Sequence, residues 1–198
     1  MIINPVFPTP VGIEKFESGL SNKEIDFIKN LEKRPNMGNL TSVDTYLLSL
    51  KPMARLKKFF TEAVNSYFQE VYQPKFDVEL RITQTWANYS ERGMFHHYHA
   101  HPNSFVSGVF YVQTNESDKI FFNKNIYENI QIPTENFNLF NSMSWWFPAE
   151  VNNLIMFPSG LHHNVPEVSE EHTRISISFN TFPQGILGNI HNLTECKL

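Results

Sequence analysis

Apolar residues recur along this chain with two different periods, and the change falls at Pro74. Before it, "LSNKEIDFIKNLEK" places Ser21 three residues ahead of Glu24, a capping-box spacing, and then Ile25, Phe27, Ile28 and Leu31 at roughly helical intervals. "LKPMARLKKFFTEAVNSYFQEVYQ" repeats the sign at greater length. Pro52 suits a first helical turn, and Met53, Leu56, Phe60, Ala63, Tyr67 and Val71 return every three or four positions. The pattern predicts a short helix, then a long amphipathic one that stops before Pro74.

Beyond Pro74 the period drops to two. "FDVELRITQTWANY" sets Val78, Leu80, Ile82, Gln84, Trp86 and Asn88 on one face and Glu79, Arg81, Thr83 and Thr85 on the other. "SFVSGVFYVQ", "KIFFN", "NNLIMFP" and "TRISISFNTF" follow as short segments rich in β-branched and aromatic residues, separated by polar turns. Helices followed by several strands predict an α+β, mainly β fold built on a sandwich or barrel. The expected organisation is one domain over 1–198, with helical support in 1–74, the β core in 75–185 and a tail in 186–198. "NKNIYENIQIPTENFNLFNSMSWWFPAE" has little period and reads as an ordered insertion loop. Trp145, Trp146 and Phe147 in succession cannot all enter one face of a strand, so they form either a lid over a site or a cap on the barrel.

Composition narrows the function classes. With 198 residues, 41% hydrophobic and 14% aromatic, the chain can bury one sizeable core. A net charge of −4, with both signs scattered, gives no basic surface for nucleic acid. Cys196 is the single cysteine, and no signal segment or membrane-length apolar run shows, so a cytoplasmic location is expected and no membrane partner.

Histidine supplies the chemistry. "MFHHYHAHPNSFVSGVFYV" holds His96, His97, His99 and His101 just ahead of an apolar run. In an extended strand, residues two apart share a face, so His99 and His101 can bind one ion together; His97 shares their parity and His96 does not. "FPSGLHHNVPE" offers a third ligand, His162 or His163, from a turn at the end of another strand. His172 and His191 fall outside both groups and read as surface residues. Nucleophilic catalysis fits poorly: Cys196 is near the end, there is no GxSxG elbow, and zinc-finger cysteines and HExxH are absent. What remains is a nitrogen- and oxygen-ligated metal on a β scaffold, with Fe(II), Mn(II), Ni(II) and Zn(II) all admissible.

Together "NPVFPTPVGI", "HAHPNSFVSGVFYV", "NSMSWWFPAE" and "LIMFPSGLHHNVPEVSEEHTRISISFNTF" resemble the 2-oxoglutarate and Fe(II)-dependent oxygenase superfamily, over almost the whole chain. The resemblance implies a double-stranded β-helix, or jelly roll, with helices packed on one sheet. It further implies Fe(II), 2-oxoglutarate and dioxygen as cofactors, and a hydroxylation coupled to decarboxylation of 2-oxoglutarate to succinate. Carried over, the metal and catalytic ligands fall on His99, His101 and His163, and His162 points away. An imidazole at His101 departs from the superfamily's usual carboxylate and leaves three neutral ligands. Arg174 and Ser176, in "RIS", take the place of the pair that grips the co-substrate's distal carboxylate, and Tyr111 and Tyr89 stand where relatives often offer a phenol. Asn88 and Asn180 face inward by parity, and Trp86 is expected in the core. Two other readings remain. Gly93 with His99 and His101, and the PxGxxH around His163, match parts of a cupin motif, although its glutamate is missing and Arg174 has no role in it. A non-catalytic jelly roll that binds sugar or peptide is the third. Neither the substrate, whether small molecule or protein residue, nor the oligomeric state follows from the sequence.

Overall fold

The computed structural model describes residues 1–75, 78–124, 130 and 132–198. Phe76 and Asp77 of the first expected strand, and 125–129 and 131 of the expected insertion, lie outside the described residues.

The capping box closes as the spacing requires. Glu24 N–H donates to Ser21 Oγ at 3.3 Å and Ser21 N–H donates to Glu24 Oε2 at 2.8 Å, starting α1 (Asn22–Lys29). A single 3-10 turn at Lys51–Met53, with Pro52 inside it, leads into α2 (Ala54–Tyr72), and Gln73 in the left-handed region at φ 44 ends it before Pro74.

The strands are β1 (Gly12–Lys15), β2 (Lys33–Pro35), β3 (Leu40–Ser42), β4 (Glu79–Ser90), β5 (His96–His99), β6 (Val106–Gln113), β7 (Lys119–Asn123), β8 (Ser144–Pro148), β9 (Asn153–Pro158), β10 (His163–Val165) and β11 (Arg174–Gln184). A short ribbon, β12 (Ile186–Leu187) with β13 (Cys196–Lys197), closes the chain. The large sheet runs β1-β9-β6-β11-β4-β3-β2 and the small sheet β5-β10-β7-β8, with antiparallel neighbours throughout. This is the jelly roll expected from the sequence.

Strand alternation decides which layer each residue joins. On β6, Phe110 and Val112 face the helices, where Phe60 packs with ring centroids 5.6 Å from Phe110 and 5.2 Å from Phe179. Val109 and Tyr111 face the other way, into a second apolar layer between the sheets with Ile120, Phe122, Ile155 and Phe157. Each fully buried aromatic of this kind contributes roughly 1.5–3 kcal/mol. Gly108 lets the helix-facing layer close: a Cβ there would stand 2.5 Å from Phe179 Cε1 and 3.1 Å from the Ile155 carbonyl oxygen. Among the described residues no helix is long and apolar enough to cross a membrane.

Two departures from the sequence pattern concern β4 and β8. In β4 the pairing passes from Gln84↔Asn180 to Ile82↔Thr181, so Thr83 is an extra residue and the faces exchange there. Leu80 and Ile82 therefore pack with the helices, while Trp86 and Asn88, read as sharing their face, turn toward the small sheet. β8 lies inside the stretch read as a loop. It is an edge strand whose Trp146 stays 46% exposed, with Lys119 Nζ 4.1 Å above its ring.

Candidate metal centre

β5 and β10 pair with His163 directly opposite His99, and His101 follows the end of β5, where its backbone N–H donates to the Ser159 carbonyl at 2.9 Å. One ring nitrogen from each of His99, His101 and His163 lies within 4.8 Å of the others. Two of the three are already set for coordination. His99 Nδ1 lies 2.7 Å from the His97 carbonyl oxygen and His163 Nδ1 lies 2.9 Å from that of Leu161. A carbonyl only accepts, so each Nδ1 carries the proton and each Nε2 presents a lone pair. His101 Nε2 and His163 Nε2 face each other at 3.3 Å, a contact that needs a proton or a cation between them. This donor set fits a metal ion.

Burial keeps the ligands neutral. Desolvation, followed by the neighbouring His99, lowers the His101 pKa to about 4, and desolvation with His99, His101 and His162 lowers that of His163 to about 3. His99 is lowered as well, again chiefly by burial. The sign follows directly: between the ordinary imidazole pKa and these values the unfolded chain binds protons that the folded protein refuses. The metal-free protein should therefore lose stability as the pH falls from 7 toward 4, by up to about 1.4 kcal/mol for each imidazole and pH unit. Urea unfolding across that range checks it, and an unchanged midpoint would contradict neutral, crowded histidines.

The same cavity continues to the far end of the barrel, where Asn88, Ser90, Tyr111, Arg174, Ser176 and Ser178 line it. Arg174 is 5% exposed and Ser176 is 9% exposed, with the Ser176 hydroxyl 3.5 Å from Asn88 Nδ2. The Tyr111 hydroxyl is buried and has no hydrogen-bond partner among the described residues, and burial pushes its pKa upward. A buried phenol without an acceptor beside a guanidinium suits a bound carboxylate. The cavity as it stands holds about 30 Å³, room for little more than water, so a keto diacid enters only as side chains move.

Several expectations need correction. Tyr89 is not a pocket group: it lies on the helix-facing side of β4, and its hydroxyl donates to the Ile28 carbonyl of α1. Asn180 is absent from the cavity wall and its Oδ1 accepts from Ser107 at 2.8 Å. Trp86 is not core but lies with its ring centroid 6.1 Å from that of His101. His96 does not point away. A register shift between β5 and β10 brings it onto the cavity wall, stacked on His99 at 4.7 Å. His172 is no bystander either, since its Nε2 lies 3.0 Å from Asp118 Oδ2. His162 turns outward, stacked on Tyr98 at 4.9 Å.

Asp118 itself escaped the sequence reading. Its carboxylate is 3% exposed and accepts from Arg174 at 2.7 Å and from the Asn115 N–H at 3.0 Å. Arg174 also donates to the Pro166 carbonyl at 3.1 Å. A lone Asp in the polar turn "NESDK" carries no signal in sequence that it will meet an arginine from another strand.

Residues 84–180 match the family model described as "Putative 2OG-Fe(II) oxygenase", from the middle of β4 to β11 and including all three converging histidines. Over these 97 of its 198 residues the sequence matches the 2OG-Fe(II) oxygenase family. Fe(II), 2-oxoglutarate and dioxygen are the cofactors of that family. Solved structures share the oxygenase fold at low identity. An oxidoreductase of the 2OG-Fe(II) oxygenase family from Burkholderia pseudomallei is 14% identical with a TM-score of 0.59, covering 86% of this chain and 83% of its own. HygX from Streptomyces hygroscopicus, solved with nickel, 2-oxoglutarate and hygromycin B, is 11% identical at 0.59, covering 87% and 82%. A prolyl-4-hydroxylase from Pseudomonas putida is 10% identical at 0.57, covering 87% and 92%. No curated protein matches the sequence.

Proposed function

We propose that this oxygenase is a hydroxylase that holds Fe(II) on His99, His101 and His163 and 2-oxoglutarate between that ion and Arg174. One observation carries the reading: three imidazole donors and a buried arginine open onto one cavity, with an unpartnered phenol beside the arginine. A cupin-type use of the same histidines leaves Arg174, Ser176 and Tyr111 without work, and a pure binding module gives the three converging imidazoles no ion to hold.

The residues divide the labour. His99 and His163 are oriented by backbone carbonyls, which fixes each ring before any ion arrives and limits reorganisation on binding. Arg174 offers its remaining N–H groups to the distal carboxylate, Tyr111 donates its O–H, and Ser176 stands beside them. When bound, the iron and keto acid supply the oxidising chemistry that breaks a C–H bond. Phe157 and Phe122, with ring centroids 4.7 and 6.0 Å from His163, exclude water from the ion's flank. The substrate approaches from a larger groove of about 990 Å³ that Phe122, Trp145, Phe147, Leu161 and His162 line together with the N-terminal segment.

Anaerobic addition of Fe(II) and 2-oxoglutarate to the metal-free protein should give a visible charge-transfer absorption that requires both. Tyr111→Phe should weaken 2-oxoglutarate binding by about 1–2 kcal/mol while leaving metal affinity unchanged. Absorption with Fe(II) alone, or none with both, would overturn the assignment.

A further inference from the structure

A second group of imidazoles stands outside the first. One ring nitrogen from each of His96, His97 and His99 also lies within 4.8 Å of the others, with ring centroids 4.7 Å apart for His96–His99 and His97–His99 and 5.5 Å for His96–His97. His97 Nδ1 is buried and makes no hydrogen bond among the described residues. His96 and His97 line an open cleft of about 520 Å³ on the other side of β5, which Glu167 also borders. His96 lines the inner cavity as well, so it stands between the cleft and the inner triad.

We propose that His96, His97 and His99 form an outer site for a divalent transition-metal ion, which passes from there to the inner triad by exchanging ligands around His99. Metal–nitrogen bonds of about 2.0–2.1 Å require the three donors to draw closer than they stand, which ring rotation in the open cleft allows. Imidazole-only ligation selects ions such as Zn(II), Co(II), Ni(II) and Fe(II) over Mg(II) and Ca(II). His99 belongs to both groups and its Nδ1 is engaged with a carbonyl, so a single Nε2 serves one ion at a time. The two sites therefore alternate. A shared ligand keeps the ion attached while His96 and His97 are replaced by His101 and His163, and the ion reaches a small cavity without crossing it as a hydrated species. The transfer rests on the inner triad being the iron site; the outer site does not.

Co(II) titration by calorimetry and visible absorption tests both parts. His101→Ala/His163→Ala disables the inner triad and should still bind one equivalent of Co(II), more weakly than wild type. Adding His96→Gln and His97→Gln to that variant should abolish binding. In the otherwise intact protein, His96→Gln/His97→Gln should slow Co(II) uptake in stopped flow by roughly tenfold or more while the final site keeps its absorption spectrum. An inner-triad variant that binds no Co(II) while its circular dichroism matches wild type removes the outer site. Unchanged uptake by the His96→Gln/His97→Gln protein removes the transfer. A His163→Ala protein that binds Co(II) with the affinity and absorption spectrum of wild type refutes the inner reading instead, and so tells the two failures apart.

Discussion

His163→Ala should cost the protein its tightly held metal and its turnover together while leaving the fold in place, with only the weaker outer histidines still able to bind an ion. The lost ring supplies one of three donors, and no carboxylate stands among the converging group to take over. Changes in groups that only orient a ligand already cost about 10–100-fold in metal affinity, so removing a ligand should cost at least that. The fold should survive because the imidazole is crowded by others that burial keeps neutral, and a metal-free protein gains little from it. Its ring does pack edge-on against Phe157 at 4.7 Å, so a loss of about 1 kcal/mol in stability is expected. The neighbouring His162 makes the control, since it stacks on Tyr98 away from the triad. Metal content after dialysis and the unfolding midpoint should separate the two variants. Metal retained by His163→Ala and lost by His162→Ala would reverse the assignment made from the turn "GLHHNV".

That turn shows what one sequence can and cannot disclose. Periodicity located both helices and most strands of the core, because burying an apolar face is a local pattern with a global cause. Missed strands were short, as with β2 and β3, or, as with β8, edge strands whose exposed aromatics break the alternation. The histidines were legible as a group because residues two apart on a strand share a face. Parity failed wherever a strand slipped. The extra residue at Thr83 exchanged the faces of β4, and the shift between β5 and β10 turned His96 inward. A bulge leaves no mark in hydrophobic period until the partner strand is known. Tyr89 failed for a different reason: ten residues before His99 it has the spacing of a pocket group, but its side of β4 belongs to the helices. Asp118 could be found only in space, because it meets both Arg174 and His172 from the turn between β6 and β7, far from them in sequence.

Asp118 is the residue whose replacement should be most informative after His163. A divalent ion on neutral imidazoles and the Arg174 guanidinium together bring three positive charges to the cavity; Asp118 returns one negative charge, and the remaining two match a dicarboxylate. In the absence of that ligand, Asp118 is the nearest counter-ion of an arginine that is 5% exposed. Breaking a buried pair on one side typically costs about 3–5 kcal/mol. Asp118→Asn keeps an oxygen for Arg174 but sets an amide donor against the Asn115 N–H and the His172 ring, both of which meet the carboxylate at 3.0 Å in the native protein. The variant should therefore be less stable than wild type when free of ligand. With Mn(II) and 2-oxoglutarate it should regain more stability than wild type does, because the incoming carboxylate supplies the charge the variant lacks. Thermal unfolding with and without the keto diacid measures the difference. Equal stabilisation of the two proteins would mean that Asp118 serves only to anchor the turn between β6 and β7. Weaker stabilisation of the variant would mean that the carboxylate's main work is to aim the guanidinium.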